Sequence, residues 1–174
     1  MIETQFHLMP DGRRIAYRFT PAAKCNAAPT LVFLPGYMSD MAGSKAQAVH
    51  DWAGLHGQAC LLLDYSGCGE SSGEFKDGTL SRWREEVLAL IEVHCPQDGG
   101  HPVILIGSSM GGWLMLLVGL VLGERLAGLI GIAAAPDFTA WGTPEADKAR
   151  LAAGETVWED NPYGPEPTPT HPGF

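Results

Sequence analysis

The sequence predicts an α/β fold built on a mostly parallel sheet with an antiparallel hairpin at its N-terminal edge. Three observations carry that prediction. Apolar stretches of strand length at 30–34, 59–64, 103–106 and 126–134 alternate with stretches of helix length, the pattern of a parallel sheet covered on both faces. The first twenty residues show strand-period alternation on either side of Pro10-Asp11-Gly12, which is hairpin chemistry. The apolar run Val103-Ile104-Leu105-Ile106 enters Gly107-Ser108-Ser109-Met110-Gly111 and an apolar helical run follows, the order strand, sharp turn, helix with a serine at the apex.

Each element has its own signal. Thr4-Gln5-Phe6-His7-Leu8 and Arg14-Ile15-Ala16-Tyr17-Arg18-Phe19 alternate with period two and form the hairpin arms. Thr30-Leu31-Val32-Phe33-Leu34 is a continuous apolar strand stopped by Pro35-Gly36. A helix is expected over 46–55, with Trp52 and Leu55 towards the core, and a buried strand over 59–64. A Gly/Ser loop spans 66–73. Thr79 is placed as an N-cap, and Leu80, Trp83, Val87, Leu90 and Ile91 recur on one helical face. After the strand 103–106 come a helix at 113–122 and an apolar strand at 126–134 that ends in Ala135-Pro136-Asp137.

Beyond that point the composition changes. From Asp137 on there are seven acids and two bases, and 162–174 holds five prolines. A short helix is expected over 146–153, and 161 onward reads as loop or disordered tail.

Size and charge exclude several functions. A chain of 174 residues with 45% apolar content fits one folded domain. Its formal net charge of -9, with no Lys/Arg cluster, argues against a sequence-independent nucleic-acid binder. The run 102–123 holds 22 residues without a formal charge. Its glycines and serines, and the Glu124-Arg125 that follows, mark a buried strand and helix rather than a membrane span. No basic-then-apolar leader is expected at the N-terminus. Cys25, Cys60, Cys68 and Cys95 lack metal-ligand spacing. Cys60 and Cys95 read as small apolar residues in a reducing compartment. No metal and no cofactor is expected.

The turn at 107–111 also fixes a frame. Small residues are needed two before and two after the nucleophile, because backbone and side chains crowd there. Gly107 and Gly111 meet that need for Ser109, whereas Ser108 would be flanked by Ile106 and Met110. Serine alone is a weak nucleophile and needs a base, a group that orients the base, and donors for the oxyanion. One donor is expected to be the Met110 N–H at the start of the following helix, where the helix dipole helps. The other is expected from the loop after the 30–34 strand, with the Tyr37 N–H in place; otherwise Tyr37 is a loop aromatic that packs. The run Asp64-Tyr65-Ser66-Gly67-Cys68-Gly69-Glu70-Ser71-Ser72 follows a strand, as a dinucleotide fingerprint would. Ser72 stands where the third glycine belongs, and no helix opens directly after it, so a nicotinamide site is not expected.

These motifs together resemble the α/β-hydrolase superfamily: a strand then Pro35-Gly36-Tyr37, then Asp64-x-x-Gly67-x-Gly69-x-Ser71, then Gly107-x-Ser109-x-Gly111. Longer matches are more specific. Phe33-Leu34-Pro35-Gly36-Tyr37-Met38-Ser39-Asp40-Met41, Asp77-Gly78-Thr79-Leu80-Ser81-Arg82-Trp83 and Gly107-Ser108-Ser109-Met110-Gly111-Gly112-Trp113 resemble the mitochondrial palmitoyl-protein thioesterase branch, also described as acyl-glucuronide esterases, and its bacterial relatives. The resemblance implies an α/β-hydrolase fold lacking its last strands. Residues 1–136 would be the N-terminal part of the core, 137–160 the start of a lid insertion, and 161–174 the tail. It implies hydrolysis of small acyl esters or thioesters through an acyl-serine, with Ser109 as nucleophile and the Tyr37 and Met110 amides holding the oxyanion. The location it implies is a bacterial-type cytoplasm or the mitochondrial matrix.

In that family the acid and then the histidine follow the serine along the chain. Asp137, after the 126–134 strand, is the candidate acid; the alternative is a lid-entry or helix-cap aspartate. His171 is the one histidine downstream of Ser109 and hence the candidate base, although no packing element is expected to hold it. Truncation before the family's last strands would impair turnover and leave the 126–134 strand as an open apolar edge. Two other functions stay open: a non-catalytic acyl-binding module or inert fragment, and an acyltransferase that uses the same acyl-serine. Neither the acyl-chain length nor the oligomeric state is legible.

Overall fold

The computed structural model describes residues 3–23, 28–95, 102–161 and 165–173. Cys25 and His101 lie outside them. The central sheet holds β1 (Gln5–Leu8), β2 (Arg14–Thr20), β3 (Thr30–Leu34), β4 (Cys60–Leu63), β5 (Val103–Ser108) and β6 (Leu126–Ile132) in the order β1-β2-β4-β3-β5-β6. The β1–β2 and β2–β4 pairs are antiparallel, and β4, β3, β5 and β6 run parallel to one another. The hairpin and the parallel sheet are therefore as the patterning predicts.

The wholly apolar strands have two faces to satisfy. Leu61 and Leu63 of β4 join one core with Val32, Leu34, Leu105 and the helices α2 (Leu80–His94) and α3 (Met110–Leu122). Cys60 and Leu62 of the same strand join a second core with Leu31, Phe33 and α1 (Ser44–Leu55) on the other face. Side chains that alternate across a strand and are buried on both sides leave polar residues only at the strand ends, here Thr30 and Ser108. The uncharged run at 102–123 resolves into β5 and α3, and among the described residues no helix is long and apolar enough to cross a membrane.

The helix α2 follows its pattern closely. The Thr79 side chain caps it by accepting from Arg82 N at 3.1 Å, and Leu80, Trp83, Val87, Leu90 and Ile91 are buried. A sixth member of the buried face, Glu86, is fully shielded from solvent. Its carboxylate pairs with Arg13 of the β1–β2 turn and accepts from Ser66 N at 2.9 Å. Burial pushes the Glu86 carboxyl up, while the Ser66 hydrogen bonds and the Arg13 guanidinium pull it back down.

Two expectations need correction. Trp52 and Leu55 do not face the core; they are 48% and 85% exposed. The inward face of α1 is set by Ala46 and Ala53, whose small side chains let the helix lie close to the sheet. Trp52 instead stacks on His56 at 4.1 Å and borders an apolar groove of ≈ 530 Å3 with Leu31, Val49, Ile104 and Ile130. The tail also differs from a disordered segment. β7 (Val157–Glu159) pairs antiparallel with β8 (Thr168–Thr170), with Val157 opposite Thr170. Val157, Thr170 and His171 are buried, so this proline-rich stretch gains a backbone partner and a packed face. Between β6 and β7 lie α4 (Phe138–Trp141) and α5 (Glu145–Ala152).

β6 is the last strand of the sheet and pairs on one side with β5. Leu129 and Ile130 are 43% and 49% exposed, and Leu120 and Val121 of the adjacent α3 are open as well. An apolar strand edge of this kind is a template for pairing with other chains.

Two outcomes follow. Arg13→Met leaves the buried Glu86 carboxylate without its cation, so it lowers the unfolding free energy by about 2–4 kcal/mol at pH 8. Protonation of Glu86 relieves the unpaired charge, so the gap to the parent narrows towards pH 5 in denaturant titrations. A constant gap across that range contradicts the account. Ile130→Lys places a charge on the open edge and raises the concentration at which light scattering detects association; unchanged scattering shows that the β6 edge does not drive it.

Candidate active site

Ser109 stands between the end of β5 and the first residue of α3, with φ 52° and ψ -120°. Such a φ is unfavourable for a residue with a side chain and persists only where the surroundings over-determine it. Here they do. Ser109 N donates to Ile132 O at 3.0 Å, and Ser109 O accepts from Gly112 N at 2.9 Å and Ala135 N at 3.0 Å. A Cβ on Gly107 would lie 2.7 Å from the Gly112 Cα, and one on Gly111 would press into the carbonyls of Leu34 and Pro35. The side chain of Ser109 is exposed, whereas Ser108 is 8% exposed. Of the two adjacent serines, Ser109 is therefore the one presented to solvent at the apex.

The loop after β3 runs beside it. Gly36 packs so closely that a Cβ there would be 3.1 Å from Ser108 O and 3.4 Å from the Ser109 Cβ. Ser39 N donates to Gly36 O at 3.1 Å and closes the loop into a turn around Tyr37. The Tyr37 ring meets Phe75 edge-on at 4.9 Å and Phe138 at 6.0 Å, and its hydroxyl donates to Pro169 O. Burial pushes the Tyr37 phenol up to about 12, so it stays protonated. Met110, the first residue of α3, is buried; an N–H at that position has no acceptor within its own helix. A cleft of ≈ 610 Å3 opens here, lined by Gly36, Tyr37, Ser108 and Ser109 together with Lys45, Glu159, Asp160, Asn161 and Thr168.

The remaining sequence candidates sit elsewhere. Asp137 follows β6 and is exposed, with φ 54°; its carbonyl accepts from Ala140 N at 2.8 Å and its side chain makes no cap hydrogen bond. It heads α4 through its backbone, close to the helix-cap alternative. His171 is buried after β8, with Phe75 at 6.0 Å edge-on and Gly173 beside it. Burial lowers its pKa, with Asp77 opposing. It does not line the cleft, and neither does any other histidine among the described residues. No group of His, Cys, Asp or Glu among the described residues is arranged to hold a metal.

The Gly/Ser loop after β4 is fastened to its neighbours by buried side chains. Asp64, almost fully buried, accepts from Met41 N at 2.7 Å and from Glu70 N at 2.8 Å, so it ties the loop after β3 to the loop after β4. Burial raises its pKa against those two hydrogen bonds. Ser71 donates to Asp64 O at 2.7 Å and accepts from Ala16 N, which fastens the loop to β2. Tyr65, fully buried, stacks on Trp83 at 5.2 Å and donates its hydroxyl to Pro35 O at 3.0 Å. Sequence reasoning missed Tyr65 and Glu86. Glu86 does carry one signal, a charge three residues after Trp83 on the apolar face of α2.

The comparisons with known proteins agree with this architecture. A family model described as "Alpha/beta hydrolase family" matches residues 31–173. The human protein named "Palmitoyl-protein thioesterase ABHD10, mitochondrial" is 41% identical over 128 residues, which is 74% of this chain and 39% of that protein. The chain thus spans about two-fifths of the length of that curated relative. A putative hydrolase from Agrobacterium vitis S4 superposes with TM-score 0.85 at 36% identity, covering 100% of this chain and 70% of the other. The mouse alpha/beta hydrolase domain-containing protein 10 superposes with TM-score 0.76 at 31% identity, covering 91% and 61%. With its parallel sheet, its serine at a strand-to-helix apex and a family match over most of its length, this chain belongs to the alpha/beta hydrolase family.

Proposed function

We propose that this chain carries the acyl-transfer machinery of a serine hydrolase for acyl esters or thioesters, with Ser109 as the nucleophile. The observation that carries the reading is the strained φ of 52° at an exposed serine where β5 meets α3, with the loop after β3 packed against it. Strain of this kind is kept where a reactive side chain must stand clear of the backbone. In the proposed step Ser109 Oγ attacks the acyl carbon, and the carbonyl oxygen becomes an oxyanion between the N–H groups of Tyr37 and Met110. The bond to the alkoxide or thiolate leaving group then breaks, and water releases the acyl group as a carboxylic acid. Preorganised donors of this type account for factors of about 10²–10³ in turnover each.

The serine proton needs a base, and the residues that wall the cleft include no histidine. Loss of the base alone costs a serine hydrolase roughly a million-fold in turnover. The reading therefore assigns slow turnover to these residues by themselves, and it gives neither Asp137 nor His171 a share in the chemistry. The thioesterase name of the human relative favours a thioester among the substrates, and its mitochondrial name favours the mitochondrion as an address.

A fluorophosphonate probe with intact-mass detection tests the assignment. One adduct is expected on the parent chain and none on Ser109→Ala, with both variants folded by circular dichroism. A folded parent chain that takes up no probe overturns the reading and favours a binding module. An ester substrate whose products shift on addition of an alcohol or thiol acceptor would instead identify acyl transfer.

A further inference from the structure

We infer that Tyr65 is a positioning residue for the oxyanion loop, a role that rests on the reading of Ser109 and the Tyr37 amide above. Its hydroxyl donates at 3.0 Å to the carbonyl of Pro35, two residues before the proposed donor. That carbonyl belongs to the peptide unit leading into Gly36, so fixing it sets the direction in which the next unit presents the Tyr37 N–H. On its other side the same carbonyl lies against Gly111, where a Cβ would come within 2.5 Å of it. The loop is held between a buried phenol and the elbow helix, with Gly36 seated on Ser108 and Ser109.

Tyr65 is itself held. Its ring stacks on Trp83 at 5.2 Å, both residues are fully buried, and Trp83 Nε1 donates to Ser66 O at 3.1 Å. Ser66 N donates to Glu86, which pairs with Arg13. The phenol thus stands on a polar scaffold rooted in α2 and the β1–β2 turn, and its one described polar partner is the loop of the proposed site. A fully buried hydroxyl spent on one carbonyl loses that partner if the loop shifts, and an unsatisfied buried donor is costly. Misplacing a catalytic group by about 1 Å can cost 100-fold.

Tyr65→Phe keeps the ring and its stacking and deletes the hydroxyl. In the full chain, the maximal rate of fluorophosphonate labelling at Ser109 is expected to fall about tenfold. The probe concentration for half-maximal rate stays unchanged. The ¹⁵N order parameters of the Gly36 and Tyr37 amides are expected to drop. Ile15→Val, a buried position in β2, is the control; it lowers the thermal midpoint with neither effect. The proposal is overturned if Tyr65→Phe labels at the parent rate, if Ile15→Val slows labelling as much, or if the two amides keep their order parameters. Should the parent chain take up no probe, the reading of Ser109 falls, and the amide measurement decides the role of Tyr65 on its own.

Discussion

The site of this chain depends on one tight backbone approach. Gly111 brings α3 against the carbonyls of Leu34 and Pro35, and no side chain fits between them. Gly107 allows the turn back from β5 at the same place. With those two positions compressed, the residue between them is forced outward and takes the φ of 52° seen at Ser109. The exposure of one serine, the burial of its neighbour and the path of the loop after β3 all follow from one steric constraint. The free energy for holding it comes from elsewhere, from apolar strands packed on both faces by α1, α2 and α3.

Beneath the apolar sheet runs a polar framework that binds loops instead of strands. Asp64 ties the loop after β3 to the loop after β4 through two backbone amides. Tyr65 reaches from the second loop to Pro35 of the first. Glu86 and Arg13 pin the second loop to α2 and to the hairpin turn. Asp64, Tyr65 and Glu86 are buried and each has a backbone partner, so the loss of one leaves a donor or acceptor unpaired in a poorly hydrated interior. Such groups stabilise little in net terms but select one loop arrangement over others. An active site assembled from loop ends needs that selection.

The fold was legible because its signals are local. A strand buried on both faces has to be apolar along its middle, and β4 is so throughout while β3 and β5 carry a polar residue only at one end, Thr30 and Ser108. The face of α2 was readable for the same reason, since five large apolar residues mark it. The face of α1 was misread because Trp52 and Leu55 are the large residues there, while Ala46 and Ala53 make the close contact. Size points inward only when the gap to be filled is wide. The ribbon β7–β8 was missed because its strands are three residues long and prolines flank the second. The Glu86 pair was out of reach because Arg13 is 73 residues away in the chain.

The proposed chemistry divides along the same line. An oxyanion site made of backbone amides is specified by backbone shape, and backbone shape here is set by glycines within two residues of Ser109 and by a Pro-Gly at the end of a strand. These marks are short and rigid, so they survive as a motif. A general base is a single side chain that must arrive within hydrogen-bond reach from a distant element, and nothing near Ser109 in the sequence records where that element comes from. His171 shows the consequence. Chain order alone selects it, and in the fold it is buried after β8 with its ring edge-on to Phe75, outside the walls of the cleft at Ser109. The proposed nucleophile and oxyanion donors can thus be read from two short motifs, Pro35-Gly36-Tyr37 and the turn at 107–111. The residue that would activate the serine has to be found through tertiary contacts, and the contacts described around Ser109 hold the backbone without supplying one.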